Sequence, residues 1–281
     1  MFNRVVIVGV GLIGGSLGLE IKRKKIAQEV IGVGRSQSNL KIALKRKLID
    51  RATTDLSKAV SNADLILLCT PVKSALHQLT IIARHAKPGT WIMDVGSTKE
   101  EIVKEAARIF LPRSLFFIGA HPMAGTEKSG AVGAEKDLFR GKICILTSSP
   151  NLSQKAKNQA VGFWKKMGSR VVWSSPSQHD KNVAVTSHLP QLISSALMTT
   201  VTKLVSKKDL KTFSGSGLKG MVRLASSPAN MWVDICLSNS KNIKKSLEYY
   251  IEELSNINKW IKFKKRGSLK KYFERVSKSR L

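Results

Sequence analysis

The amino-acid sequence predicts an α/β domain built on a mostly parallel sheet, followed by an all-helical domain. Two observations lead to this fold class. Short β-branched segments alternate with helical patterns up to Trp173, and such alternation is typical of βαβ units. From Pro176 onward, long helical patterns follow one another without a convincing strand.

The first strand candidate is residues 4–8 (RVVIV), a short β-branched run that ends at a glycine, as buried parallel strands often do. A helix is predicted over 12–24. The further strand candidates are 30–33, 65–69, 91–95, 116–120, 143–146 and 170–173. Helical patterns separate several of them, for example 99–109 and 154–167.

The predicted domain boundary divides the chain into residues 1–174 and 175–281. The SSPS sequence at 174–177 supplies a turn and a helix N-cap at the point where strand patterns cease. The helical patterns beyond it cover 177–206, 217–226 and 228–265. Pro190 lies inside the first of these and should bend it.

The composition is that of a globular protein, with 42% hydrophobic residues. No apolar run is long enough to cross a bilayer, and the N-terminus lacks the pattern of an export signal, so we expect no membrane association. Cys69, Cys144 and Cys236 are widely separated. Their spacing predicts neither disulfides nor a metal site and is compatible with a reducing cytoplasm.

The net charge of +29 leaves two interpretations open. It is compatible with a nucleic-acid-binding surface, or with a general lysine bias on solvated faces, which we favour because the basic residues are scattered along the chain. Ten basic residues and the single acid Glu274 do concentrate in 259–280. A positive field would also attract small anions.

The segment Gly9-Val10-Gly11-Leu12-Ile13-Gly14 matches the GxGxxG pattern between a strand and a helix. The first glycine permits a tight turn, the second lets the backbone approach a pyrophosphate, and the third allows close packing of helix and strand. The pattern predicts a Rossmann-type, doubly wound parallel sheet that binds a dinucleotide. Because ligands of such sheets lie beyond the carboxyl ends of the strands, Thr70 and Ser97 are further candidates.

The preference between NAD and NADP is decided near the end of the second strand. An NAD enzyme usually has an acid there, which binds the ribose 2′-hydroxyl. This chain instead has Arg35 and Ser36, and no acid. An arginine can hold a 2′-phosphate, so the sequence favours NADP over NAD.

Several motifs together resemble the prephenate dehydrogenase family, which includes arogenate and cyclohexadienyl dehydrogenases. The most specific is HPMAGTEKSG at 121–130, after a predicted strand. The others are GVGLIGGS at 9–16, DVGSTK at 94–99, SHLP at 187–190 and GLKGMVRLA at 217–225, followed by Met231-Trp232. The resemblance covers nearly the whole chain.

The resemblance implies oxidative decarboxylation of prephenate with NAD(P)+ on the route to tyrosine, or the same reaction on arogenate. It implies that His121 accepts the proton of the ring hydroxyl and that Ser97 assists it; histidine suits this role because its pKa is near neutral. It further implies a homodimer formed through the helical domain. The substrate-binding residues that it implies are His188, Arg223, Thr126, Glu127 and Trp232, with Trp232 as an apolar wall.

The sequence departs from the family pattern near these residues. Gln191 replaces a second histidine that often follows SHLP, and Gly220 and Val222 replace an acid and a threonine. The loss of the acid at Gly220 removes a possible carboxylate partner for Arg223. These changes concern substrate preference more than the type of reaction.

Two other classes of protein remain open on the sequence. A dehydrogenase of the 3-hydroxyacid type would account for the glycines but not for HPMAGTEKSG with SHLP. A basic nucleic-acid-binding protein on a degenerate Rossmann fold would need neither the intact GxGxxG nor His121 and His188. We expect no specific nucleic-acid partner, and we expect His77, His85 and His179 to be structural hydrogen-bonding residues.

Overall fold

The computed structural model describes residues 1–126, 128–148 and 152–279. Its first part is built on one eight-stranded sheet with the order β3-β2-β1-β4-β5-β6-β7-β8. The strands are β1 (Phe2–Val8), β2 (Ala27–Val33), β3 (Arg51–Thr53), β4 (Leu65–Leu68), β5 (Trp91–Asp94), β6 (Phe116–Pro122), β7 (Ile143–Thr147) and β8 (Arg170–Trp173).

The sheet is doubly wound and mostly parallel, as predicted. The chain builds β1 to β3 towards one edge and then returns to place β4 on the other side of β1. Only β6 and β7 pair antiparallel. The change of direction between β1 and β4 opens a crevice at the carboxyl ends of these strands, where such sheets bind their ligands.

Helices cover both faces of the sheet. They are α1 (Leu12–Arg23), α2 (Gln37–Lys45), α3 (Leu56–Val60), α4 (Val72–His85), α5 (Glu100–Phe110) and α6 (Gln154–Lys166). One face buries Leu17 and Ile21 of α1 with Trp164 of α6, and the opposite face buries Leu79 of α4 and Phe110 of α5. Coverage of both faces explains why every residue of β4 is apolar and buried.

The described residues beyond β8 form helices and no strand, as predicted. These helices are α7 (Pro176–Val183), α8 (Leu189–Leu204), α9 (Lys207–Phe213), α10 (Ser216–Val222), α11 (Ala229–Ser238), α12 (Ser240–Lys262) and α13 (Arg266–Lys278). A π-helical turn, Ala184–His188, joins α7 to α8, and a 3-10 turn, Arg223–Ser226, follows α10. No helix among the described residues is long and apolar enough to cross a membrane.

The region 177–206, predicted to be helical, is helical in the structure, but it is not one regular α-helix. Pro190 lacks a backbone N–H, and its ring clashes with the carbonyl four residues earlier in a regular helix. The π-helical turn lies immediately before this proline and widens the helix there. The sequence patterns do not predict β3, which is three residues long, or α13, whose apolar spacing is obscured by the density of basic residues.

Close packing of α1 on the sheet provides a test of the fold. A Cβ atom on Gly18 would lie 2.3 Å from the carbonyl oxygen of Leu48, which is a backbone atom and cannot move aside easily. We expect Gly18→Ala to lower the free energy of unfolding by about 1–3 kcal/mol, as overpacking does. The measurement is urea unfolding followed by circular dichroism.

Gly162 is the matched control, because it also lies within a helix but has open space where its Cβ would be. Gly162→Ala should raise the free energy of unfolding by about 0.5–1 kcal/mol through helix propensity. Equal effects of the two substitutions would contradict the packing described for α1.

Candidate functional site

The candidate site lies where the carboxyl ends of β1, β4, β5 and β6 meet at one edge of the sheet. The turn after β1 carries Gly9, and the segment after β4 carries Thr70. Ser97 follows β5, and His121 lies near the end of the adjacent strand β6. The structure therefore brings these four predicted site residues to the same edge, and α7 and α11 of the helical part pack against the helices α5 and α4 of the first part.

The glycine-rich turn has the geometry that a dinucleotide requires. Gly9 has a φ of +94°, and a Cβ on it would lie 2.8 Å from the carbonyl oxygen of Cys69 and from Cγ2 of Thr70. A Cβ on Gly14 would lie 2.2 Å from the Gly9 carbonyl oxygen. Nothing lies within 4 Å of a Cβ placed on Gly11, which leaves space for a ligand against the backbone.

The N-terminus of α1 is open to an anion. No side chain caps it, and its first turn contains no acidic residue. Leu12 and Ile13 begin the helix and pack their side chains partly against the core. Free N–H groups and the helix dipole attract phosphate at such a terminus, so the turn fits the pyrophosphate of a dinucleotide.

The end of β2 presents Arg35 and Ser36, both exposed. The Ser36 hydroxyl accepts a hydrogen bond from the Asn39 backbone N–H at 3.2 Å and so caps α2. No acidic residue lies between β2 and α2. This end of the crevice therefore carries positive charge and hydroxyl groups.

His121 is the first member of a buried hydrogen-bonded chain. Its Nδ1 lies 2.9 Å from Nε2 of His179, and Nδ1 of His179 lies 2.7 Å from Oδ1 of Asp180. The side chains of His179 and Asp180 are almost completely buried, whereas His121 keeps a small exposed fraction. The chain joins β6 to α7 and points away from the site into the protein.

The geometry of this chain assigns the tautomers of both histidines. A carboxylate oxygen only accepts, so Nδ1 of His179 donates to Asp180 and its Nε2 accepts from Nδ1–H of His121. Nε2 of His121 is then unprotonated, and no described residue donates a hydrogen bond to it. The site therefore presents His121 as a base, oriented by a histidine and a carboxylate.

Asp180 is itself held by the beginning of α5. Its Oδ1 accepts from the backbone N–H of Lys99 at 2.7 Å, and its Oδ2 accepts from that of Glu100 at 2.9 Å. The Lys99 side chain is fully buried and its ammonium pairs with the Asp94 carboxylate. The DVGSTK motif thus anchors the chain that ends at His121.

His188 lies in the π-helical turn and is completely buried. The Asn239 amide nitrogen donates to the Asp180 backbone carbonyl at 2.8 Å and lies 3.2 Å from Nδ1 of His188. Nδ1 therefore accepts, and Nε2 of His188 carries the proton. This Nε2 and Nε1 of Trp232 are buried donors without a partner among the described residues, and their rings meet edge to face at 5.9 Å.

Arg223 is exposed at the start of the 3-10 turn after α10. Gln191, which replaces the family's second histidine, is buried and donates to the Leu224 carbonyl at 2.8 Å, so it ties α8 to this turn. Thr126 is exposed, and its hydroxyl accepts from the Lys128 N–H at 3.3 Å. The predicted site residue Glu127 lies outside the described residues.

The sequence did not single out Asp180, Lys99 or Asn239, and it treated His179 as a structural hydrogen-bonding residue. In the structure His179 is a hydrogen-bonding residue whose partner is His121 itself. His77 and His85 are exposed. The one signal in the sequence is that His179-Asp180 precedes SHLP by about two helical turns, which places a possible relay beside a motif already identified.

Burial lowers the pKa of both site histidines. The pKa of His121 falls well below its usual value, because burial disfavours the cation and because His179 and Lys99 lie nearby. Burial lowers the pKa of His188 to about 4, although the Asp180 charge opposes this change. Both side chains are therefore neutral at neutral pH.

The shift at His188 predicts a dependence of stability on pH. Between pH 6.5 and about 4 the unfolded chain protonates this histidine and the folded protein does not, so acidification in this range favours unfolding. Between pH 7 and pH 5 the free energy of unfolding of His188→Gln should fall less than that of wild type. The difference should be roughly 1 kcal/mol for each pH unit below 6.5. Urea unfolding of both proteins at the two pH values measures this difference; equal losses would contradict the assignment.

Two family profiles match consecutive parts of the chain. The profile described as prephenate dehydrogenase, nucleotide-binding domain, matches residues 17–173. The profile described as prephenate dehydrogenase, dimerization domain, matches residues 175–275.

Individual relatives agree with the profiles. The chain is 32% identical to a prephenate dehydrogenase of Bacillus subtilis, over 98% of this chain and 74% of that protein. Its structure is similar to that of Aquifex aeolicus prephenate dehydrogenase in complex with hydroxyphenyl propionate and NAD+, with a TM-score of 0.91 and 30% identity over 99% and 96% of the two chains.

It is also similar to Synechocystis arogenate dehydrogenase, with a TM-score of 0.80 and 29% identity over 98% and 97% of the two chains. The two profiles and these relatives, together with the open glycine-rich turn and the His121 side chain at the same edge of the sheet, establish the family of the protein. The chain is a nicotinamide-dependent oxidoreductase and belongs to the prephenate dehydrogenase family.

Proposed function

We propose that the protein oxidises and decarboxylates prephenate to 4-hydroxyphenylpyruvate, a precursor of tyrosine. The observation that carries the proposal is the His121–His179–Asp180 chain, which presents an unprotonated ring nitrogen at the edge of the sheet that also carries the glycine-rich turn. The reaction needs such a base next to a nicotinamide.

The reaction follows from the chemistry of prephenate. The hydroxyl proton passes to Nε2 of His121 as the ring carbon that bears the hydroxyl loses a hydride, which a bound nicotinamide would accept. The bond between the ring and its carboxylate then breaks, CO2 leaves, and the electron pair moves through the ring to the new carbonyl oxygen. That oxygen takes the proton back from His121, and the ring is aromatic.

His121 has the properties of the proton acceptor in this sequence. Its lowered pKa keeps Nε2 free at neutral pH, and the hydrogen bond from its Nδ1–H to His179 determines that Nε2 is the nitrogen that takes the proton. Asp180 fixes the tautomer of His179. Ser97, at the end of the adjacent strand, assists by binding the same hydroxyl.

The helical part of the chain supplies the substrate contacts in this proposal. Arg223 binds the ring carboxylate. The acid that the family often has near this arginine is replaced by Gly220, and a Cβ atom on Gly220 would meet open space. His188 donates from Nε2, which has no partner among the described residues, and Trp232 forms an apolar wall. Thr126 and Glu127 are the further substrate-binding residues in this proposal.

The dinucleotide is held by the glycine-rich turn, with Gly9, Gly11, Leu12, Ile13 and Gly14 at the pyrophosphate. Thr70 contacts the turn from β4. When bound, the nicotinamide supplies the hydride acceptor. We propose that NADP is preferred, because Arg35 and Ser36 provide a cation and a hydroxyl where NAD enzymes have an acid.

We further propose a homodimer formed through a helical domain of residues 175–281, joined to a dinucleotide-binding domain of residues 1–174. The helices α9, α10 and α13 contain no buried residue. Large apolar side chains on this part are exposed, among them Leu204 and Phe213 at 79% each. A second copy of the chain would cover such a surface, as the matched dimerization profile leads us to expect.

Arogenate is the alternative substrate, since one similar structure is an arogenate dehydrogenase. The two compounds differ in the side chain, where arogenate has an amine and prephenate a ketone. A steady-state assay that crosses both substrates with NAD+ and NADP+ tests the proposal. Turnover of prephenate that forms 4-hydroxyphenylpyruvate supports it, and turnover of neither substrate would refute it.

We expect His121→Asn to lower kcat by roughly 10²–10⁴, the usual contribution of a general base, with little change in Kd for the substrate. His77→Asn is the matched control, because His77 is exposed on α4. The measurement is kcat at saturating substrate and cofactor. A near-normal kcat for His121→Asn would remove His121 from the mechanism.

We expect Arg35→Ala to raise KM for NADP+ about tenfold or more while KM for NAD+ changes little, because one charge-assisted contact to a phosphate contributes roughly 1.5–3 kcal/mol. Arg84→Ala, at an exposed position on α4, is the control. Equal changes for the two cofactors would show that Arg35 does not contact the 2′-phosphate.

A further inference from the structure

The side chain of Asn39 makes two hydrogen bonds that join two separate motifs. Its amide nitrogen donates to the Val10 carbonyl in the glycine-rich turn at 2.8 Å. Its amide oxygen accepts from the Ala131 N–H at 2.8 Å, directly after the HPMAGTEKSG motif. One half-buried side chain on α2 therefore touches the cofactor turn and the end of the substrate motif together.

The segment after this motif depends on the cofactor-binding helices for its position. Arg46, which follows α2, donates to the carbonyls of Ala131 and Val132 and, at 2.8 Å, to that of Ala134. From α1, the buried Ser16 hydroxyl accepts from the Glu135 N–H at 3.0 Å. Residues 130–135, the anchored segment, are thus fastened to α1 and α2.

The approach of Asn39 to the anchored segment is close. Gly130 has a φ of +68°, and a Cβ on it would lie 3.2 Å from Oδ1 of Asn39. A side chain at this position would be strained and would crowd the amide. The close contact between α2 and the motif therefore requires glycine at position 130.

The backbone of Asn39 reaches the proposed 2′-phosphate site. Its N–H donates to the Ser36 hydroxyl at 3.2 Å, and Ser36 with Arg35 is the proposed contact of that phosphate. A ligand that binds Ser36 therefore contacts the beginning of α2. Ser36 is one helical turn from Asn39, whose side chain bonds to Val10 and Ala131. The cofactor site and the substrate motif are in this way joined by a continuous set of hydrogen bonds.

We propose that Asn39 is a positioning residue that couples cofactor binding to substrate binding. With the dinucleotide bound, the glycine-rich turn and the start of α2 are fixed in position. The hydrogen bonds of Asn39 then also fix the position of the anchored segment and of the substrate motif before it. Substrate and cofactor then each bind more tightly when the other is present, by the same factor. This inference rests on the proposed function of the site.

The test measures that factor directly. The Kd of NADP+ is determined by calorimetry without and with saturating hydroxyphenyl propionate, the ligand named with the Aquifex aeolicus structure. For wild type we expect Kd to fall about fivefold or more, within the usual range of coupling between sites. For Asn39→Ala we expect the two Kd values to agree within about twofold.

The variant Asn39→Asp distinguishes the effect of the hydrogen bond to Val10 from that of the hydrogen bond to Ala131. A carboxylate still accepts from the Ala131 N–H but cannot donate to the Val10 carbonyl, so it keeps the anchored segment and loses the link to the turn. We expect it to lose the coupling as Asn39→Ala does, although the Ala131 N–H keeps its acceptor. Lys41→Ala, on the exposed face of the same helix, should keep the wild-type factor.

A wild-type factor near one, or a wild-type factor retained in both Asn39 variants, would overturn the inference. Either result leaves the proposed function intact if the wild-type protein oxidises prephenate. Failure of the wild-type protein to turn over prephenate or arogenate would instead refute the proposed function, so the two failures are distinguishable.

Discussion

Asp180 is a buried carboxylate that receives hydrogen bonds from both parts of the chain. Two backbone N–H groups at the start of α5 donate to it, and so does the ring of His179. Its own carbonyl accepts from Asn239 of the helical part. A buried carboxylate is tolerated only with such donors, and the N-terminus of a helix is a favourable place for it. The docking of α7 on the sheet and the orientation of both site histidines therefore depend on this one group.

The parts of the site that the sequence predicted are those encoded by local motifs. Gly9 and its neighbours act through backbone geometry within one turn, and His121 is set by its strand, so short patterns suffice to find them. The strands were predicted for the same reason, since their apolar runs are local. The short strand β3 and the basic helix α13 carry too weak an apolar signal.

The parts that the sequence did not predict are contacts between distant segments. The sequence places His179 near the SHLP motif, but it does not show that His179 meets His121, 58 residues earlier. Asn239 reaches Asp180 and His188 only because the chain between α11 and α12 folds back onto α7 and the π-helical turn. Gln191 is informative in another way: its difference from the family pattern is visible in the sequence, whereas its bond to Leu224 is visible only in the structure.

The π-helical turn at Ala184–His188 has a consequence for the evolution of this chain. A regular α-helix advances about 100° per residue, and a π turn contains about one residue more than an α turn. The phase of α8 relative to α7 is therefore set by the length of this segment. If one residue were deleted there, the helix would be more regular, but His179 and Gln191 would no longer point to their present partners at the same time. The length of this segment is consequently constrained together with the identity of His179 and Gln191, because a change of length would disturb both contacts at once.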